Sequence, residues 1–168
     1  MRTITGRLCA LILLLPACST NDPGAVSRAE VEGIYSISQL VFEPSASAVQ
    51  PADVGVRFDS GFTTIELLGS GDVLLRYRFE GGSSVLISGN YNMTRNGVRI
   101  EFAHADRSRQ DAILLPSVIR MHLGAENLLT ADVAMTANLD AYDRSRYQGL
   151  TSVSGVLRVR FERQIVTH

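Results

Sequence analysis

The chain has 168 residues, a formal net charge of −1 and 20% charged residues. All sixteen basic residues are arginine, and seventeen acids stand against them, so nothing in the charge balance points to nucleic acid. Only two cysteines are present against 45% hydrophobic residues, so stability must rest on an apolar core rather than a disulfide framework.

The N-terminus divides into the parts of an export signal. Arg2 and Arg7 supply a basic start, residues 8–15 an apolar stretch, and Pro16-Ala17 lead to Cys18. The apolar run is far shorter than the roughly 20 residues needed to span a bilayer. Leu15-Pro16-Ala17-Cys18 resembles the lipobox of bacterial lipoproteins. Leu15 and Ala17 fit that pattern, and Pro16 stands where a small or β-branched residue is commoner. The resemblance implies cleavage before Cys18, a lipid (palmitate-type acylation) on its sulfur, and anchoring in the bacterial cell envelope. Ser19, rather than Asp, follows the cysteine, which by the same resemblance favours the outer membrane, facing the periplasm. Residues 1–17 are then the signal peptide and residues 18–30 the lipidated cysteine with a flexible tether, broken by Pro23-Gly24. Cys9 leaves with the signal, and the remaining domain, residues 31–168, has no cysteine.

From Val31 onward the hydrophobic period is two, the mark of strands with one buried face. Val73, Leu75, Tyr77 and Phe79 alternate with Leu74, Arg76 and Arg78. Val85, Ile87, Gly89, Tyr91 and Met93 alternate with Leu86, Ser88, Asn90, Asn92 and Thr94, and Leu157, Val159 and Phe161 with Arg158, Arg160 and Glu162. Gly69-Ser70-Gly71-Asp72, Gly81-Gly82-Ser83 and Asn96-Gly97 supply turns between consecutive runs. About eight strands are predicted, over 31–42, 54–68, 72–79, 84–94, 97–104, 112–122, 128–139 and 151–163. Pro116 marks the sixth as bulged, at an edge, or in two pieces. Residues 139–149 read as a loop or short helical turn.

Short turns imply an all-β antiparallel meander, and eight such strands escape exposed edges by closing into a barrel. A two-sheet β-sandwich is the alternative. Gly33-Ile34-Tyr35 at the first strand resembles the opening of lipocalin-like (calycin) barrels, with Tyr for the family's Trp. The resemblance implies a closing arginine on the last strand, Arg160 or Arg163, and Arg163 shares the inward parity of Phe161.

No catalytic constellation is visible. His104, Asp106 and Asp111 fall in a polar connection where solvated side chains are expected, and no spaced set of three or four metal ligands occurs. The expectation is therefore a non-enzymatic protein without metal or cofactor. Two functions fit. One is a barrel holding a small apolar or amphipathic ligand, with Tyr91, Met93, Gly89, Tyr77 and Phe102 as lining. The other is a filled barrel that docks an envelope protein partner. The membrane is reached only through the lipid on Cys18.

Overall fold

The structure is a computed structural model, and residues 25–59 and 61–164 are described. Cys9, Cys18, the predicted signal peptide and most of the predicted tether lie outside these residues. Nine strands form one antiparallel sheet: β1 (Gly33–Pro44), β2 (Ala52–Asp53), β3 (Thr64–Leu67), β4 (Asp72–Tyr77), β5 (Val85–Thr94), β6 (Gly97–Phe102), β7 (Val118–Leu123), β8 (Leu128–Ala137) and β9 (Val153–Arg163). From β3 to β9 each pairs with the next, and β9 returns to β1 from Tyr35↔Arg163 to Pro44↔Gly155. That last ladder closes an eight-stranded barrel, with β2 an extra short strand on β1. Closure decides against the sandwich.

Alternation sets the inside. Tyr35, Leu40 and Phe42 of β1, Val73, Leu75 and Tyr77 of β4, and Leu157, Val159 and Phe161 of β9 are all buried in one hydrophobic cluster. Two glycines permit the strands to coil tightly enough to close. A Cβ on Gly89 would stand 2.3 Å from the Glu101 carbonyl oxygen, and one on Gly155 2.3 Å from that of Glu43 and 2.6 Å from the Phe42 ring.

Two predicted strands are corrected. The strand over 54–68, read as continuous or bent near Ser60-Gly61, is reduced to β3: a 3-10 turn at Gly55–Arg57 follows β2, and Phe58 bridges only to Phe79. The strand over 112–122 begins only at Val118, because the preceding polar connection forms a helix, α2 (Arg107–Asp111), whose end occupies residues 112–115. The stretch read as a tether includes ordered residues at its end. A one-turn helix, α1 (Arg28–Val31), buries Val31 completely, and Val26 donates its N–H to the Arg95 carbonyl. Residues 139–149 form two further one-turn helices, α3 (Leu139–Tyr142) and α4 (Arg144–Tyr147).

The barrel thus has two unlike rims. The turn rim carries the tight β3–β4, β5–β6 and β7–β8 connections and α1. The loop rim carries the β1–β3 segment, α2, α3 and α4.

Candidate functional site

At the turn rim, α1 is fastened by long polar side chains. The Tyr35 hydroxyl donates to the Val31 carbonyl at 2.6 Å, and Arg28 donates to the Gly69 carbonyl at 2.7 Å. Arg163 donates to the carbonyls of Glu30 (3.2 Å) and Glu32, and its guanidinium lies against Gly33. Arg163, the inward-parity arginine, therefore ties the last strand to the start of the first. Charge-assisted hydrogen bonds contribute about 1.5–3 kcal/mol. Arg163→Ala is expected to cost about 2 kcal/mol by urea denaturation and to raise hydrogen exchange across residues 28–35. An unchanged midpoint would deny Arg163 this role.

The loop rim is closed by aromatic packing. Phe58, Tyr77 and Phe79 lie with ring centroids 5.4–5.8 Å apart. Arg57 lies between Phe79 and Tyr142, 4.6 and 4.8 Å from their centroids, and donates to the Tyr142 carbonyl at 2.9 Å. The hydroxyls of Tyr142 and Tyr147 donate to the carbonyls of Asp53 and Pro51, pinning α3 and α4 over β2. Sequence reading missed Arg57, Tyr142 and Tyr147, since an isolated arginine and a polar-aromatic loop carry no periodic signal.

The five proposed lining residues are not gathered into one pocket. Tyr91 reaches the turn rim, where its hydroxyl donates to the Leu68 carbonyl at 2.7 Å and Arg28 lies 5.4 Å from its ring. Tyr77 points to the loop rim and donates to the Arg109 carbonyl at 3.1 Å. Gly89 stands opposite Phe102 and Met93 opposite Val98 in the β5–β6 ladder. Tyr77, Tyr91 and Phe102 are only 1–3% exposed, and Val73, Leu75, Ile87, Ile100 and Leu157 are 0% exposed. A ligand-sized void would leave accessible surface on its lining, so the interior beside these residues is filled.

The residues considered for metal chemistry have other engagements. The Asp106 carboxylate accepts from the Ser88 N–H at 3.2 Å and pairs with Arg109 at 2.7 Å, and Asp111 pairs with Arg107 at 2.9 Å. His104 is exposed. Gln110 is fully buried: its amide nitrogen donates to the Ala103 carbonyl, while its Oε1 has no hydrogen-bond partner.

Burial also sets the titration of the tyrosines. Desolvation pushes the phenols of Tyr35, Tyr77, Tyr91, Tyr142 and Tyr147 above their ordinary value of 10.0, opposed in part by nearby arginines. Their raised folded-state values mean the unfolded chain releases these protons first. The contribution is fully present below pH 10 and is lost as pH climbs through the folded values. Denaturation midpoints are expected to hold from pH 8 to 9.5 and fall above about pH 10. A midpoint that rose there would contradict the burial.

One part of the wall is not closed by hydrogen bonds. The β7–β8 ladder has only two pairs, His122↔Thr130 and Leu123↔Leu129, whereas β8 pairs with β9 along its whole length. Beyond Thr130 the strands part toward the loop rim, leaving a groove of about 340 Å³ lined by Arg99, Val118, Arg120, Asp132, Val133 and Ala134. Nearer the rim the seam is covered by Leu114 and Leu115, which with Met135, Ala137, Arg107 and Asp111 border a cavity of about 160 Å³. Leu114 holds φ at 56°, the left-handed position ending α2, and Leu115 donates back to the Gln110 carbonyl. Pro116 was the one sequence sign that this wall is irregular.

The fold defines the class: an all-β protein built on a closed eight-stranded antiparallel barrel, consistent with a lipocalin-like fold. Comparison with protein-family models finds no match, and no curated protein matches the chain.

Proposed function

We propose that this chain is a lipid-anchored protein of the bacterial cell envelope whose filled barrel serves as a docking module for an envelope partner. The observation that carries it over the ligand-carrier reading is the burial of Tyr77, Tyr91, Phe102 and the residues around them at 0–3% exposure. An apolar ligand among Tyr77, Tyr91 and Phe102 would have to displace packed side chains, and the two tyrosine hydroxyls are already bonded to backbone carbonyls. Gly33-Ile34-Tyr35 and the placement of Arg163 support kinship with lipocalin-like barrels rather than with an enzyme fold.

The anchor reading rests on Leu15-Pro16-Ala17-Cys18, and Ser19 after it supports the outer membrane, facing the periplasm. Val26 is fixed on the turn rim, so only seven residues, 19–25, separate it from Cys18. They reach at most about 25 Å. The turn rim then faces the bilayer and the loop rim faces outward, where Val56 and Phe62 are 71% and 53% exposed.

Intact-mass analysis of membrane-extracted chain is expected to show loss of residues 1–17 and a lipid adduct on Cys18, with Cys18→Ser released from the membrane. Photo-crosslinkers at Val56 and Phe62 are expected to capture one stoichiometric protein in the native envelope. An unmodified Cys18 would overturn the anchor. Absence of any crosslinked protein, at these positions and along the barrel wall alike, would overturn the docking reading.

A further inference from the structure

Among the described residues, β7 and β8 are neighbouring strands of the barrel that join at only two pairs and then part. The direction of their backbone groups follows from the bonds around them. Gly124 donates to the Leu128 carbonyl, so the even-numbered residues of β8 turn their N–H and C=O toward β7. Leu123 donates to the Asn96 carbonyl and Phe102 to that of Ser117, so the odd residues of β7 face β6 and the even ones face β8. His122 and Thr130 meet as a pair. Val118 and Arg120 on one lip, and Asp132, Ala134 and Thr136 on the other, have no ladder partner across the seam. Unpaired strand edges of this kind are templates for another strand.

The side chains around the seam specify what fits. Val133 and Met135 face inward yet are only half-buried, because β7 has moved away from them. Arg99 and Arg120 stand directly opposite each other on the outer face, a like-charge pairing that is unfavourable. Glu101 neutralises Arg99 at 2.7 Å, and no carboxylate pairs with Arg120 among the described residues. Asp132 on the other lip disfavours a second acid. The ends of the described chain do not supply the missing strand, since Val26 and the end of β9 both lie at the turn rim while the seam opens toward the loop rim.

We propose that the seam is a strand-addition site for an extended segment of a partner polypeptide. Its inward residues are apolar, against Val133 and Met135, and its outward residues are uncharged except for one acid against Arg120. Because β7 and β8 are antiparallel, the segment can run antiparallel to only one of them. The three open residues of β8 make that strand its main partner. This rests on the docking reading above and names its partner's chemistry.

The test uses the full chain in detergent and a capped synthetic heptapeptide, Val-Thr-Val-Asp-Val-Thr-Val. NMR titration is expected to show saturable binding and at least tenfold slower amide exchange at Thr136. Ala134→Pro removes an N–H that points into the seam and none from the β8–β9 ladder. It is expected to weaken binding at least tenfold with an unchanged circular dichroism spectrum. Should that variant misfold, N-methylation of the peptide's Thr and Asp amides asks the same question of the native chain, with the same expected loss. Replacing the peptide's Asp by Arg should weaken binding at least fivefold. No saturable binding at millimolar peptide, or binding indifferent to N-methylation, would overturn strand addition. So would dimerisation of the chain through β8, in which a second copy occupies the seam. Crosslinks confined to Val56 and Phe62 would preserve the docking reading while removing this site.

Discussion

Gly155→Val should unfold this barrel or come close to it. Gly155 pairs with Pro44 where β9 returns to β1, and a side chain there would enter the space of the Glu43 carbonyl oxygen, 2.3 Å from the Cβ position, and of the Phe42 ring at 2.6 Å. Neither neighbour is the free end of a flexible side chain. One is backbone in the ladder that closes the barrel, and the other is a fully buried core ring. Overpacking in a well-filled core costs about 1–3 kcal/mol. Here the clash falls on the closing ladder itself, so the loss is expected at or above the upper end, about 3 kcal/mol. The measurement is equilibrium urea denaturation against Gly155→Ala, which should lie between the two. A Gly155→Val variant as stable as the parent would mean that β1 and β9 are not in this register.

Tyr35→Ala is expected to be at least as damaging, for a different reason. Tyr35 is completely buried in the first strand, bonds the Val31 carbonyl and stands opposite Arg163. Truncation leaves a cavity the size of a phenol and removes the contact that holds α1 on the turn rim. Large-to-small aromatic changes in cores cost about 3–5 kcal/mol. Tyr35→Phe separates the two effects: it keeps the ring and leaves the Val31 carbonyl without its donor, for about 1–2 kcal/mol. If Tyr35→Phe were neutral while Tyr35→Ala lost the expected amount, packing rather than the hydrogen bond would be what fastens the rim.

These two positions also show what the sequence carried. The inward face was readable wherever the alternation was unbroken, as in Val73-Leu75-Tyr77 and Leu157-Val159-Phe161, because a half-buried strand writes its burial in a period of two. Arg163 was legible by the same parity. Phe58 and Val54 looked like parts of a strand because they are apolar and evenly spaced. Their burial comes instead from folding the β1–β3 segment over the loop rim, a tertiary event with no local period. The seam was hinted at by Pro116 alone, since a ladder that ends early depends on where a neighbouring strand goes. Gly89, chosen as room beside a cavity, is room for the Glu101 and Phe102 backbone. A glycine in a strand marks close approach without saying what approaches.

The same distinction governs function. Aromatic and methionine side chains on an inner face are equally consistent with a lined pocket and with a packed core, and burial separates the two. Native mass spectrometry of the membrane-extracted chain, after incubation with total lipid extract of the envelope, tests the filled interior most directly. The expected spectrum shows one species at the mass of the protein with its anchor and nothing retained. A stoichiometric noncovalent ligand, lost on substitution of Tyr91 or Phe102, would contradict the account.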